Sequence, residues 1–354
     1  TGIQNTLMGG GAGDALQDAD NNVAIGFAAL SSDTLGSGSI AIGKDALFDQ
    51  NFTTATTAYN VAIGQSAGAN VTTGFRNEFI GGLAGLSNTT GDNNVAIGLS
   101  ALEGNTVGNK SIAIGSNALG LQNPATATDM YNVAIGYNCG DSVTTGKSNT
   151  LVGAEVAGAL NAGENNVAVG YHALKTATGD TETVAVGVQA LQTQNKNGTA
   201  SNTAVGFRAG RDTTTGTSNT FIGAEAGLTV TTATGQTAVG RGALAGQAGN
   251  DNTAIGNYAL NATTGTGNTA VGQVAGFSLT SGGNNLFLGK DAGRTGSPGG
   301  NFTTESGNIV LGDENINNAY MQVSFNVVSD ERDKTDFADL DLGLNFVKAL
   351  EPVT

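Results

Sequence analysis

The chain is poor in several residue types that most protein classes use. Its 354 residues include no tryptophan, three prolines, one cysteine and one histidine, and 12% of them are charged. The single cysteine, Cys139, excludes an intrachain disulfide. The single histidine, His172, cannot build a usual zinc site. With 56 glycines as well, this composition is not that of ordinary globular domains.

Basic residues and long apolar runs are also scarce. The chain has 14 Lys and Arg against 29 Asp and Glu, which gives a formal net charge of −15. Nucleic-acid binding needs clustered basic side chains to displace counterions from phosphates, so we expect no nucleic-acid partner. A membrane-spanning helix needs about 18 consecutive apolar residues. No such run and no basic-then-apolar leader is visible, so we expect no membrane insertion.

A repeat fills most of the sequence instead. The pattern Asn-x-x-Ile/Val-Gly-x-x-Ala, aligned on its glycine, occurs eighteen times from Gly9 to Gly312, and eleven of the seventeen intervals are seventeen residues long. Such self-similarity predicts a solenoid in which each unit stacks on the next. The residue before the glycine is Ile, Val, Leu or Met in every copy, and the residue two places earlier is mostly Val, Ile or Thr. This alternation predicts a short β-strand in each copy.

Both faces of these strands are apolar. The residue between the two β-branched positions is Ala in twelve copies and Leu, Phe or Val in the others. One face can fill the inside of a narrow coil, but the other would leave an apolar stripe along the solenoid unless another chain covers it. We therefore expect a homo-oligomer, most simply a homotrimer. In it, the repeat glycine and the Ala three residues later would pack at the shared axis.

Asparagine and threonine mark the remaining positions of the repeat. Asn stands four residues before the glycine in fourteen copies and is replaced by Ser39, Ser111, Thr183 and Gln236 in the rest. Stacked coils would bring these amides into a hydrogen-bonded ladder. A recurrent Thr-Thr-Gly predicts a second turn in each coil. The fold class predicted is all-β, a parallel β-roll or β-helix of about 18 coils with two short strands per coil. Its homotrimer would be intertwined or side by side.

The repeat resembles the head repeats of trimeric autotransporter adhesins, which are also common in phage tail fibres. The resemblance covers about residues 5–312, with clear copies at 22-NVAIGFAAL-30 and 268-NTAVGQVAG-276. It implies a stalk or a binding surface. A bacterial adhesin head and a phage fibre both remain open at this point.

The repeat stops after Gly312. Twelve of the 42 residues from Asp313 onwards are charged, against 31 of the preceding 312. We expect a repetitive domain at 1–312, a capping strand segment at 313–328 and a separate segment at 329–354. The last segment carries apolar residues at helical spacing, which predicts a short C-terminal helix. These residues are Leu340, Leu344, Val347 and Leu350.

The segment that begins 329-SDERDK-334 resembles the start of the intramolecular chaperone domain of phage tailspikes, endosialidases and tail fibres. Ser329, Asp330, Arg332 and Lys334 match its signature. The resemblance implies a domain that assembles a trimer and then cuts itself off at the Ser329–Asp330 bond, with Ser329 as nucleophile and Lys334 as base. We expect only the beginning of this domain in the chain. Because Thr1 already lies inside a repeat, we also expect a preceding portion and an upstream tail or baseplate partner.

Receptor binding is expected where the repeat is longer. The intervals from Gly43 to Gly64 and from Gly115 to Gly136 each carry four extra residues. Aromatic or Met side chains beside Thr and Asn in these insertions suit a carbohydrate or protein surface. The alternative is that the insertions only pack on neighbouring coils. The candidate contact residues are Phe48, Phe52, Tyr59, Met130 and Tyr131.

Other motifs do not point to catalysis. The segment 64-GQSAG-68 fits Gly-x-Ser-x-Gly, but the pattern after it predicts no helix, which a nucleophile elbow requires. His172 lies at a variable repeat position and is expected on the surface, whereas Cys139 takes the place of a repeat Ala and is expected to be buried. We expect no turnover enzyme, no cofactor and no metal.

Together these observations favour a tail fibre of a phage virion. It would attach the particle to a polysaccharide or an outer-membrane protein of the host cell surface. The alternatives are a bacterial trimeric autotransporter adhesin head and a polysaccharide-degrading tailspike.

Overall fold

A computed structural model describes residues 2–320 and 322. The part up to Asn315 is one compact unit, a parallel β-solenoid with an eighteen-stranded sheet and one strand of that sheet in each coil. The predicted all-β solenoid is therefore confirmed. The strands, in chain order, are β1 (Thr6–Met8), β2 (Val23–Ile25), β3 (Gly36–Ser37), β4 (Ile40–Ile42), β5 (Thr56–Thr57), β6 (Val61–Ile63), β7 (Glu78–Ile80), β8 (Val95–Ile97), β9 (Gly108–Asn109), β10 (Ile112–Ile114), β11 (Thr128–Asp129), β12 (Val133–Ile135), β13 (Thr150–Val152), β14 (Val167–Val169), β15 (Val184–Val186), β16 (Thr203–Val205), β17 (Thr220–Ile222), β18 (Thr237–Val239), β19 (Thr253–Ile255), β20 (Thr269–Val271), β21 (Leu286–Leu288) and β22 (Ile309–Leu311).

The strands stack in register. Val167, Ala168 and Val169 of β14 pair with the same repeat positions, Val184, Ala185 and Val186, in β15. The pairing continues through coils of different length, because β10 pairs with β12 across an insertion just as β14 pairs with β15. A one-residue slip would turn every side chain to the other face, so the alternating pattern fixes this register.

The central residue of the strands in the large sheet, alanine in twelve of them, points into the coil in all but the first strand. Ala168 and Ala204, for example, are fully buried. The residues on either side point out, and Val205 and Ile255 keep 37% and 40% of their surface exposed. The interior therefore takes the small side chains, and an apolar stripe of β-branched side chains runs along the outside.

The glycine after each strand is required by the stacking of coils within one chain. Gly26 has a φ of +139°, which side chains rarely adopt. A Cβ placed on it would lie 2.4 Å from the carbonyl oxygen of Gly43 in the next coil. Ala29, three residues after Gly26, is fully buried inside the coil. The expectation that these alanines pack at an axis between chains is wrong, because they are already enclosed by their own chain. Gly26 is partly exposed, so the position of the glycines relative to such an axis stays a prediction.

The core keeps its volume by pairing a large residue with a small one. Where the strand centre is Ala24, the position four residues after the glycine is Leu30, and both are fully buried. Where the strand centre is Phe79, that position is Gly85, and the preceding coil has Gly68 there. A Cβ on Gly68 or Gly85 would lie 2.7 or 2.6 Å from the ring. The same exchange occurs at Phe221 with Gly210 and Gly227, and at Phe287 with Gly276 and Gly293.

The repeat asparagines form the expected ladder and also brace each coil. The side-chain amide of Asn149 donates to the carbonyl of Gly163 at 2.8 Å, which closes its own coil. Its Oδ1 accepts from the backbone N–H of Asn166 at 3.0 Å and from the Asn166 side chain at 3.1 Å. Each fully buried asparagine thus satisfies backbone groups of two coils at once.

Within the described residues, the second strand predicted for every coil forms only as the pairs β3–β5 and β9–β11, each of which joins an insertion-bearing coil to the seventeen-residue coil before it, and as a single bridge between Thr181 and Thr199. In the seventeen-residue coils, the Thr-Thr-Gly segment turns without pairing. The asparagine side chain donates to the carbonyl there, as Asn60 does at Gly74. Asn22 and Asn94 make the same bond to Gly36 and Gly108 inside β3 and β9, so this bond does not by itself prevent a strand. The prediction of two strands per coil is wrong for most of the solenoid.

Of the predicted capping strand segment at 313–328, residues 321 and 323–328 fall outside the described residues, as does the predicted helix. Residues 313–320 form no strand. In the described part of the chain, no helix has the length and apolar character that crossing a membrane requires.

Candidate binding surface

The two long coils are anchored by a buried glutamine. Where Ser111 replaces the repeat asparagine, Gln122 donates to its hydroxyl at 3.0 Å and accepts from the side chain of Asn132 in the next coil at 2.9 Å. Gln50 does the same between Ser39 and Asn60 in the other long coil, at 3.1 and 2.8 Å. A third set, Thr183, Gln194 and Asn202, occurs in the nineteen-residue coil. Both insertions therefore follow a buried glutamine whose side chain is held by hydrogen bonds to two coils.

Each insertion ends on an exposed tyrosine with the same backbone conformation. Tyr59 and Tyr131 directly precede the buried Asn60 and Asn132, and both have a φ of +52°. They keep 60% and 54% of their surface exposed. A left-handed backbone is uncommon for an aromatic residue. Here it belongs to the repeat, because the residue before the asparagine position has a positive φ in the other coils too, as at Arg76 and Ser148. The two coils thus present the same side chain from equivalent places on the solenoid.

Charged neighbours hold Tyr131. Its hydroxyl donates to Asp129 at 3.1 Å, and Lys110 donates to Asp129 at 2.5 Å and to the tyrosine hydroxyl at 3.3 Å. The Lys110 ammonium also lies 5.2 Å from the centre of the Tyr131 ring. The hydrogen bond between Lys110 and Asp129 lowers the pKa of the Asp129 carboxyl and raises the pKa of the Lys110 ammonium. Because an exposed pair of this kind stabilises a fold only slightly, its main effect is to orient the tyrosine.

Tyr59 lies beside Arg76, which holds the same repeat position in the next coil and donates its backbone N–H to Ala58 at 2.7 Å. The Tyr59 ring lies over Gly38, where an added Cβ would come within 3.3 Å of the ring carbons. Phe48, also on this coil, is 39% exposed. The first long coil therefore offers two exposed aromatic side chains, and the second offers a tyrosine held by charged groups, on the same framework.

Two of the five predicted contact residues are inside. Phe52 is 5% exposed and Met130 is fully buried. Met130 packs close to Gly108, whose Cβ would lie 3.2 Å from it. These side chains support the insertions from within and offer no surface to a receptor, which corrects the sequence-based list to Phe48, Tyr59 and Tyr131.

The other singled-out residues have structural surroundings. Ser66 lies in a left-handed turn with a φ of +55°, and no helix follows it. Cys139 is fully buried as expected, and burial raises the pKa of its thiol to about 12. His172 is more enclosed than expected. Its side chain is 13% exposed, its Nε2 lies 2.9 Å from both Glu155 and Lys175, and its ring stacks on Tyr171 with 3.7 Å between the ring centres.

Ser329, Asp330 and Lys334 lie outside the described residues, so autocleavage stays a prediction. Among residues 2–320 and 322, no three His, Cys, Asp or Glu side chains group as metal ligands would. Neither the protein-family models nor the curated proteins with which the chain was compared give a match.

Proposed function

We propose that this chain is the fibre part of a phage tail fibre, located in the virion, which attaches the particle to the host cell surface. The observation that carries the proposal is the pair of exposed tyrosines, Tyr59 and Tyr131, held in the same backbone conformation on the two insertion-bearing coils. Insertions that only packed on neighbouring coils would not need to expose them. The sequence resemblance to tail-fibre repeats supports the same role.

The fibre would be a homotrimer in which two further copies cover the outward stripe. The stripe is continuous because successive coils place β-branched residues at the same point, as Val205, Ile222 and Ile255 do. Contiguous exposed apolar surface of this kind is typical of an interface. Identical chains present it with the same period, so they match coil by coil when they start in phase.

The oligomeric state is measurable by light scattering of the purified protein. A trimer has three times the 35.0 kDa chain mass. Val205→Lys together with Ile255→Lys places charges on the stripe and should give a smaller species. Phe27→Lys, at a 63% exposed apolar residue of a turn, is the matched control. A monomeric unsubstituted protein would contradict the trimer.

Attachment would gain from repetition. Three chains per fibre and several fibres per particle multiply weak contacts into high avidity without any tight single site. The receptor would be a cell-surface polysaccharide or an outer-membrane protein, and an upstream tail or baseplate protein would hold the fibre.

Immunogold electron microscopy tests the location. Antibodies against the purified chain should label the tails of virions. Labelling of the bacterial envelope alone would instead favour an adhesin head, and the virion proposal would fall. Release of oligosaccharides from host polysaccharide by the purified protein would indicate a depolymerising tailspike.

The proposal includes maturation by a C-terminal chaperone that assembles the trimer and then cuts at Ser329–Asp330. Solenoids of near-identical coils can associate one coil out of phase at little cost. A clamp at one end of three chains, removed afterwards, would prevent this error.

A further inference from the structure

A groove runs along the turn side of the solenoid, away from the strand stripe. Its walls are the residues two, five and six places after the repeat glycines. Two wide parts of about 330 Å³ each lie in it, one beside Asn117 and Gly120 and the other beside Asn138 and Gly158. Asp141 lines both parts, so they adjoin each other on consecutive coils.

Glycines at one repeat position open this groove. The position five residues after the repeat glycine is Gly120 and Gly158 in the open coils. The next three coils after Gly158 carry Lys175, Gln192 and Arg211 at that position. The glycines do not have a backbone that only glycine tolerates, and an added Cβ would meet its nearest atom at 3.4 Å for Gly120 and 3.6 Å for Gly158. The open width is therefore a feature of these coils and not a requirement of the fold.

Three exposed aromatic side chains share one repeat position outside the lining of the groove. Tyr137 directly precedes the lining residue Asn138, Tyr171 stacks on His172, which contacts the lining residue Glu155, and Phe207 lies beyond the last lining coil. Tyr137, Tyr171 and Phe207 each directly follow a repeat glycine and occupy every second coil, which spaces them about 10 Å apart. Their exposed fractions are 56%, 47% and 45%. Ala154 takes the same position between the two tyrosines, so each ring stands clear of the other. That spacing is close to a disaccharide repeat in an extended β-1,4-linked chain.

The first two rings adjoin polar residues of the groove. Asn138, next to Tyr137, and Glu155 line the groove together. Tyr171 stacks on His172, which contacts Glu155 and Lys175. An aromatic face beside amide, carboxylate and ammonium groups is the arrangement that binds sugars, because the ring packs on the C–H face of a pyranose while the polar groups bind its hydroxyls.

The charge of the groove selects among polymers. Glu103, Asp141 and Glu155 contribute carboxylates, while the nearby Lys175 is already paired with Glu155 at 2.8 Å. Burial raises the pKa of Asp141, and the charge of Glu155 raises it further. An anionic polysaccharide would be repelled here, whereas uncharged hydroxyl groups can donate to these oxygens.

We propose that this groove binds a linear, uncharged glycan laid along the solenoid, with Tyr137 and Tyr171 stacking on alternate sugars and Asn138, Asp141 and Glu155 binding their hydroxyls. This rests on the proposed attachment function and assigns its receptor class at a second site, separate from the insertions. Because the two parts of the groove together extend over several coils, from Ser87 to Thr176, chains of several sugars bind better than single ones.

Calorimetry of the full chain tests the proposal with hexasaccharides of β-1,4-glucose, β-1,4-mannose, β-1,4-N-acetylglucosamine and α-1,4-glucose, and with α-1,4-galacturonate as the anionic probe. At least one neutral hexasaccharide binds, and the anionic one does not. Gly158→Gln, which copies the residue at Gln192, weakens binding at least tenfold, and Tyr171→Ala weakens it at least fivefold. Phe27→Ala, at the same repeat position outside the groove, changes nothing. An unchanged melting temperature shows that the variants fold.

The proposal is overturned if no neutral hexasaccharide binds, if the galacturonate binds better, or if Gly158→Gln binds as well as the unsubstituted protein. Cell binding separates this failure from failure of the proposed function. Cells that retain both the unsubstituted protein and Gly158→Gln equally would leave attachment standing and remove the groove. Glycan binding without any cell binding would support the groove as a glycan site and contradict the proposed attachment function.

Discussion

Replacing Asn149 by serine should destabilise the solenoid strongly although it changes one small side chain. Asn149 is fully buried, donates to the carbonyl of Gly163 at 2.8 Å and accepts from the amide of Asn166 at 3.0 Å. Serine is too short to reach both groups. Each buried backbone group left without a partner costs about 1–3 kcal/mol, so we expect a loss of roughly 2–5 kcal/mol in the free energy of unfolding.

The structure also supplies a compensating change. Where Ser111 stands at the asparagine position, Gln122 eleven residues later bonds to it and to Asn132. The residue eleven places after Asn149 is Leu160, which is fully buried. Leu160→Gln alone buries an amide without partners and should be destabilising. The two changes together should cost about 1–2 kcal/mol less than their sum, because they recreate the serine–glutamine pair.

The assay is urea unfolding followed by far-ultraviolet circular dichroism, at one fixed protein concentration because association contributes to stability. Hydrogen exchange at Asn166 locates the loss. Asn161→Ala, at an exposed asparagine of the same coil, is the control and should stay within about 0.5 kcal/mol of the unsubstituted protein. If Asn149→Ser were as stable as the unsubstituted protein, Asn149 would not hold the two coils together as described. Strict additivity of the stability losses of Asn149→Ser and Leu160→Gln would show that the two residues do not form the serine–glutamine pair.

Phe221→Ala should cost about 3–5 kcal/mol, and adding Gly227→Leu should recover part of it in thermal unfolding, because Leu then fills the space as in the alanine coils; no recovery would contradict the volume exchange. Gly81→Ala should cost roughly 2–6 kcal/mol from strain and overlap, and a stable variant would show that the coils can separate locally. The Cys139 thiol should react with a thiol reagent at pH 8 only after unfolding, because burial raises its pKa to about 12 and keeps it protonated. Reaction in the folded protein would contradict its burial. Intact-mass spectrometry should detect a product ending at Ser329, absent in Ser329→Ala; an uncleaved trimer would refute self-cleavage.

The sequence was enough to predict the solenoid, its strands and the asparagine ladder, because each depends on residue type at a fixed period. It could not tell which strand face lies inside. Both faces are apolar, and the inward face is the one whose central side chain shares the interior with the residue four places after the glycine, as Ala24 does with Leu30. The second strand was overpredicted, because Thr-Thr-Gly segments such as residues 72–74 bend without pairing to the next coil as strands.

The candidate sites were harder to predict. Phe48 and Phe52 are four residues apart in one insertion, yet one is exposed and the other buried. Nothing in their local sequence separates them, because burial depends on contacts with other coils. Two compensating pairs were visible in the sequence as departures from the repeat. One is Phe221 with its flanking glycines, and the other is Ser111 with Gln122. They become interpretable only when positions in neighbouring coils are known to touch.

Depletion of the purified protein from solution by intact bacteria tests attachment most directly. Saturable depletion by a restricted set of strains is predicted, with weaker depletion when Tyr59 and Tyr131 are both replaced by alanine. The substituted protein should keep its molar mass and melting temperature. Depletion by no strain, or equal depletion of the two proteins, would contradict the claim that these tyrosines attach a fibre to its host.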